Sequence, residues 1–155
     1  MRSLDQWLAE YGDSHRNPTN KRLHWVCVPA IVLAVLGWLW SLPVPATLAG
    51  LAPGVNWASL AALAALVYYA TLSPRLALGM CPVLALGLAL LAALERLAVP
   101  LWQTCLAVFV LAWIGQFAGH AVEGKRPSFF KDVQFLLIGP LWLLSAAFQR
   151  LGLRR

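Results

Sequence analysis

Four apolar runs dominate the chain, at about 24–41, 55–72, 76–94 and 98–118, with polar residues confined to their ends. Each approaches the ~20 residues that carry a helix across a hydrocarbon core, so the pattern predicts four transmembrane helices. Between Trp25 and Leu94 the only full charge is Arg75, which no soluble surface tolerates but lipid-embedded helices do. Pro43, Pro45, Pro53 and Gly54 punctuate the first connection, whereas Ser73-Pro74-Arg75 makes the second tight and turns runs two and three into a helical hairpin. The repeated Ala and Leu of Leu60–Val67 and Leu84–Leu94 read as packing surface, since small residues let helices approach closely in lipid. A fifth apolar stretch, 133–149, is interrupted by Gly139-Pro140 and is expected to span, to kink, or to dip in and return. The expected fold is an all-α polytopic bundle of four spanning helices plus this fifth kinked, re-entrant or interfacial helix. It forms one membrane domain over 1–155: a polar N-terminal motif (1–23), membrane helices (24–118), a motif loop (119–132), and an apolar helix with a basic tail (133–155).

Composition agrees. The chain is 61% hydrophobic and 12% charged, against the roughly 45–50% apolar share of soluble domains. The mean hydropathy is +0.71. A net charge of +6 therefore points to the bilayer as partner and not to nucleic acid, because the cations sit in short segments flanking the runs. Arg16, Lys21 and Arg22 precede run one, Arg75 follows run two, and Lys125, Arg126 and Lys131 follow run four; the positive-inside tendency places all three segments in the cytoplasm. Arg96, beside Glu95, is the one outward cation, and Arg150, Arg154 and Arg155 favour an interfacial or re-entrant last helix. Trp25, Trp38, Trp40, Trp57, Trp102 and Trp142 lie near run ends, as interfacial anchors do. The first 23 residues mix both charge signs without an apolar run, which is not the pattern of a secretory signal. Cys27, Cys81 and Cys105 are odd in number and set in apolar sequence, so they read as small core residues and not as a disulfide framework.

An even number of spans between His24 and His120 brings both to one side, and His15 precedes them there. If the ends of runs one and four touch, these histidines supply two or three nitrogen ligands. Glu123, three residues beyond His120 on the same helical face, adds a carboxylate. That set suits non-haem Fe(II), with zinc or manganese as alternatives. Tyr11, Asp13, Asn17 and Asn20 are placed to orient the imidazoles by hydrogen bonds. Gln116, four residues before His120, is either part of this network or an interhelical hydrogen-bonding residue. Plainer roles stand beside each of these. Interfacial histidines hydrogen-bond headgroups, Asn17-Pro18 and Asn20 suit a turn and helix cap, and Pro29 is tolerated near a helix start. Glu123 can pair with Lys125 or Arg126 in solvent, and Asp132 suits a helix N-terminus. The residues alone thus leave three classes open: a metal-dependent oxygenase, a metal-dependent hydrolase and a non-enzymatic membrane scaffold.

Two motif groups narrow this. Tyr11, His15, Asn17-Pro18, Asn20, His24 and Pro29 form the first; Trp113-Ile-Gly-Gln116, Gly119-His120, Glu123-Gly-Lys, Pro127-Ser-Phe-Phe, Asp132 and Phe135-Leu-Leu-Ile-Gly-Pro140 form the second. In order and spacing they resemble the small membrane family of 2-hydroxy-fatty-acid dioxygenases, which includes the yeast α-oxidation enzyme of phytosphingosine breakdown. The Glu123-Gly-Lys form is similar to the bacterial branch, which implies an inner-membrane protein. Residues 42–100 match only in hydrophobicity, and Cys27 stands where the family pattern has glycine. The resemblance implies Fe(II)-dependent use of O2 to cleave the C1–C2 bond of a 2-hydroxy fatty acid, leaving an acid one carbon shorter. It further implies a substrate headgroup held at the metal and an acyl tail between the helices or in lipid. Burying that tail gains almost nothing relative to the bilayer, so chain-length selectivity is expected to be loose.

Overall fold

The computed structural model describes residues 2–50, 52–127 and 134–153. The described residues form an all-helical structure with seven helices: α1 Leu4–Gly12, α2 Pro18–Trp40, α3 Ala46–Ala49, α4 Trp57–Leu72, α5 Pro74–Leu94, α6 Leu101–Glu123 and α7 Phe135–Arg150. By length and composition α2, α5 and α6 are long and apolar enough to cross a membrane, and α4 and α7 are shorter apolar helices. Side chains such as Val26, Leu78, Leu86 and Leu111 are about 70% exposed on the outside of the bundle, a surface suited to lipid.

Both motif groups lie on helices to a greater extent than the apolar runs suggest. Asn17 caps α2 by accepting from the Thr19 amide, and Pro18 occupies the first helical position. The helix therefore begins six residues ahead of the apolar run and carries Asn20, Lys21, Arg22 and His24 in its first turns. Pro29 consequently sits mid-helix, not near a helix start. At the other end α6 continues past its apolar run to Glu123, where Gly124 takes a left-handed φ of 71° that closes the helix cheaply only for a residue without Cβ. The stretch read as a polar motif also contains a helix. Ser3 and Gln6 form a reciprocal capping box at the start of α1, and Trp7, Leu8 and Tyr11 bury one face of it against Phe135 and Ile138 of α7.

The antiparallel pair α2 and α6 forms the most extensive helix contact. Its seam is made of small residues set against polar or sulfur atoms. A Cβ added at Gly115 would come within 2.6 Å of Cys27 Sγ, one at Gly119 would run into Asn20 Oδ1, and one at Gly37 into Cys105 Sγ. Cys27 thus fills the place of the expected glycine by seating its sulfur on a glycine of the partner helix. Cys27 and Cys105 are buried as expected; Cys81 is not a core residue, because it faces outward from α5.

The hairpin α4–α5 packs on α2, and α7 packs on α1 and α5. Contacts of α7 gather at the end of the bundle that holds the histidines. Tyr69 Oη donates to Leu137 O, Gly79 meets Phe148, Gly139 lies against Val28, and Arg150 stacks over Trp25. At 1.5 Å per residue these partners lie within about 15 Å of that end of α2, α4 or α5. At the opposite end Trp38 donates to Trp102 O, Trp40 to Glu95 and Trp57 to Pro43 O, a ring of indoles in the anchor positions expected for them. Trp142 departs from that expectation and packs into the histidine cluster instead. Asp132, Lys131, Arg154 and Arg155 lie outside the described residues.

Candidate metal centre

His15, His24 and His120 converge. They come from the loop after α1, the second turn of α2 and the last turn of α6, and they are 1%, 1% and 5% exposed. Two backbone carbonyls determine which ring nitrogens face one another. His15 Nδ1 donates to Tyr11 O at 2.5 Å, a last-turn carbonyl of α1, and His24 Nδ1 donates to Asn20 O at 2.9 Å. A carbonyl only accepts, so each Nδ1 carries the proton and each Nε2 presents a lone pair. The two Nε2 atoms lie 2.9 Å apart. Burial, reinforced by the neighbouring His24, pulls the His15 pKa down to about 3, so this imidazole is neutral at pH 7. Two neutral acceptors held this close repel each other unless a cation lies between or beside them.

His120 completes the group. Its ring centroid is 5.0 Å from those of both His15 and His24, and one ligand nitrogen from each histidine lies within 4.8 Å of the others. His120 Nδ1 is shut off from solvent with no hydrogen-bond partner among the described residues, at a typical cost of about 1–3 kcal/mol for an orphaned polar atom. Three buried imidazoles this close together, one with an unpartnered nitrogen, could hold a divalent transition metal, and three protein ligands would leave further positions open.

Glu123 stands outside this group. Its Oε1 accepts from the Arg16 amide at 2.8 Å; its Oε2 accepts from the Asn17 amide at 2.8 Å and from Asn20 Nδ2 at 3.1 Å. Three donors occupy the carboxylate that the spacing offered as a ligand. Those donors lead into α2, so Glu123 ties the end of α6 to the loop carrying His15. Lys125 Nζ makes a second tie, donating to Asp13 O at 2.7 Å. Asn20 Nδ2 also donates to Ser14 O at 3.1 Å, which binds this loop to the first turn of α2.

The remaining expected residues divide by position. Tyr11 supplies the carbonyl for His15 and stacks on its ring at 4.2 Å and 10°. Asn17 caps α2, and Gln116 is buried beside His24 and His120. The Asp13 side chain lies apart from the imidazoles, where it pairs with exposed Arg16 at 2.7 Å, a contact worth little in solvent. Sequence reasoning missed the roof over His15. Trp142 lies 5.5 Å from both Tyr11 and His15, and Phe135 packs against Tyr11 and Trp7. Gly139 stands in the sequence as an interruption and a member of the second motif group; a Cβ there would come within 2.9 Å of Tyr11 Oη, so its role is to admit the tyrosine.

From the histidines an apolar cleft of about 940 Å³ runs between the helices, past Val28, Met80 and Leu84 to Trp38 and Phe109. Along α2 it extends from His24 to Trp38, about 21 Å at 1.5 Å per residue. Val35, Val83, Leu86 and Leu90 line it and are 40–73% exposed, so one side of the cleft opens toward the surroundings of the bundle.

No curated protein and no solved structure matches the chain. One family model does, over residues 1–151, and it is described as 2-hydroxy-palmitic acid dioxygenase Mpo1-like. The match spans the three histidines, the Glu123 tie and the whole of the roof helix, and on that extent the chain belongs to the Mpo1-like family.

Proposed function

We propose that this chain is an Fe(II)-dependent dioxygenase that shortens 2-hydroxy fatty acids by one carbon, with His15, His24 and His120 as ligands and Glu123 as the residue that positions them. The observation that carries the reading is the pair of neutral Nε2 atoms 2.9 Å apart at the mouth of a long apolar cleft. If bound there, the metal would be held by His15, His24 and His120. An iron so held would keep further positions free for substrate and O2. When bound, the metal supplies the redox chemistry by which O2 breaks the C1–C2 bond. The shortened acid retains C2, and the old carboxyl carbon leaves as carbon dioxide with one water, which balances both oxygen atoms.

The protein's own groups prepare this step. Tyr11 O and Asn20 O hold the imidazole tautomers that face the ligand point. Trp142, Tyr11 and Phe135 roof the site and exclude water from it. The cleft takes the acyl tail, and its exposed edge admits that tail from the bilayer without passage through water.

In the same reading α2, α4, α5 and α6 span the membrane and α7 lies at the site end as a re-entrant or interfacial helix. The 16 residues of α4 cover about 24 Å, a shortfall against the ~30 Å core that local thinning of the bilayer absorbs. Among the described cations Arg96 alone lies at the end away from the site, so the N-terminus and the 119–132 loop face the cytoplasm. Reporter fusions after Ser14 and Arg126 should both report inside; an external signal from either rejects the orientation.

The functional test uses protein purified without oxygen and loaded with Fe(II). Given 2-hydroxy-palmitic acid, it should consume O2 in proportion to the shortened acid formed, and zinc-loaded protein should not. Product formation without O2 would favour a hydrolase. Failure to retain any transition metal would favour a scaffold.

A further inference from the structure

The far end of the cleft has a feature that the chemistry at its mouth does not require. Trp38 and Phe109 meet there with ring centroids 4.7 Å apart and planes inclined by 49°. Trp38 Nε1 donates to Trp102 O at 3.2 Å, which fixes the indole in place. Both rings line the cleft. From the histidines to this pair the cleft runs about 16 Å along α6 and about 21 Å along α2, as deep as one leaflet of a ~30 Å hydrocarbon core. Acyl chains of membrane-lipid length therefore reach the pair and shorter ones do not.

Partway along the cleft, on α5, lies Gly87. A Cβ built there meets Leu33 Cδ1 at 3.7 Å, an ordinary contact, so the backbone accepts a side chain at this point of the cleft wall, and a larger one would narrow the cleft. The wall thus has a bulky aromatic stop at its end and a deliberate gap before it.

We propose that the Trp38–Phe109 pair is the chain-length stop of the acyl cleft and that Gly87 keeps the path to it clear. The proposal rests on the reading that the cleft holds the substrate tail, and it replaces the loose selectivity expected from transfer energies. A tail gains almost nothing on moving from lipid into the cleft, so length is discriminated by collision with fixed rings.

The test compares wild type, Phe109→Ala and Gly87→Leu against a homologous series of saturated 2-hydroxy acids running from below palmitic to well beyond it. Two readouts are taken: kcat/KM for O2-dependent shortening, and the ligand-induced shift in thermal midpoint measured with zinc-loaded protein, which needs no turnover. Phe109→Ala should move the optimum to longer acids and Gly87→Leu to shorter ones. The ratio of long to short substrate should change about tenfold or more in opposite directions, as expected for a few methylenes against a rigid pocket wall. Length profiles unchanged in both variants overturn the stop, and so does the absence of binding by every acid. Opposite shifts in the binding profile without turnover of any acid support the stop while rejecting the dioxygenase reading.

Discussion

Replacing His24 or His120 with alanine is expected to remove most bound metal and abolish O2-dependent shortening of 2-hydroxy acids, while the variants still insert and resist extraction. Spanning stability comes from the apolar helices, and neither imidazole supplies apolar area to lipid. The loss is large because two remaining nitrogens cannot compensate for a third that arrives from the other side of the helix pair. His15→Ala should behave alike, since its Nε2 is half of the 2.9 Å pair. Glu123→Gln provides the contrast. The neutral amide keeps one acceptor oxygen but loses the charge that receives three donors, so the loop carrying His15 loosens and metal affinity or activity falls about 10–100-fold without vanishing. Metal content by elemental analysis and activity on the same samples decide this. A Glu123→Gln protein as metal-free as His24→Ala would restore the carboxylate as a direct ligand.

The second large effect should come from a single methyl group. Gly119→Ala pushes Cβ into Asn20 Oδ1 and to 3.3 Å from Leu23 Cδ1. Asn20 has nowhere to retreat, because its amide nitrogen is tied to Ser14 O and Glu123 and its carbonyl holds the His24 ring. Overpacking of this kind costs about 1–3 kcal/mol, and here the strain passes directly to two of the three ligand-bearing segments. A lowered thermal midpoint and reduced metal occupancy should therefore appear together. Gly37→Ala collides with Cys105 Sγ at the far end of the same seam, and it should lower the midpoint while sparing metal occupancy. Equal metal loss in both variants would indicate that the helix pair transmits any clash to the site.

Much of this was legible in the chain, and the limits have physical causes. Long apolar runs are strong signals, so α2, α4, α5 and α6 were found to within a few residues at most of their ends, and the alternating direction of these four helices brings His24 and His120 to one end. The polar first turns of α2 were hidden, because a cap at Asn17 and a proline at the first position start a helix without hydrophobicity. Helix α1 escaped because its nine residues bury one face against elements far along the chain, chiefly α7, more than a hundred positions later. The same distance concealed the hydrogen-bond partners of Glu123. Spacing placed its carboxylate on the face of His120, but the amides that occupy it belong to Arg16 and Asn17. Cys81 was misread because apolar sequence around a thiol does not distinguish a core from a lipid-facing surface.

The three histidines lie far apart in the sequence, with about a hundred residues between His24 and His120, and the Glu123 and Lys125 ties that fix the first loop come from the later segment. During synthesis His15 and His24 leave the ribosome long before α6 exists. Until that helix inserts, the early histidines form an incomplete pair on an untethered loop, so a nascent chain cannot hold the complete centre. The three-histidine cluster is therefore completed only once α6 has been made, by which point α2, α4 and α5 already stand around the cleft.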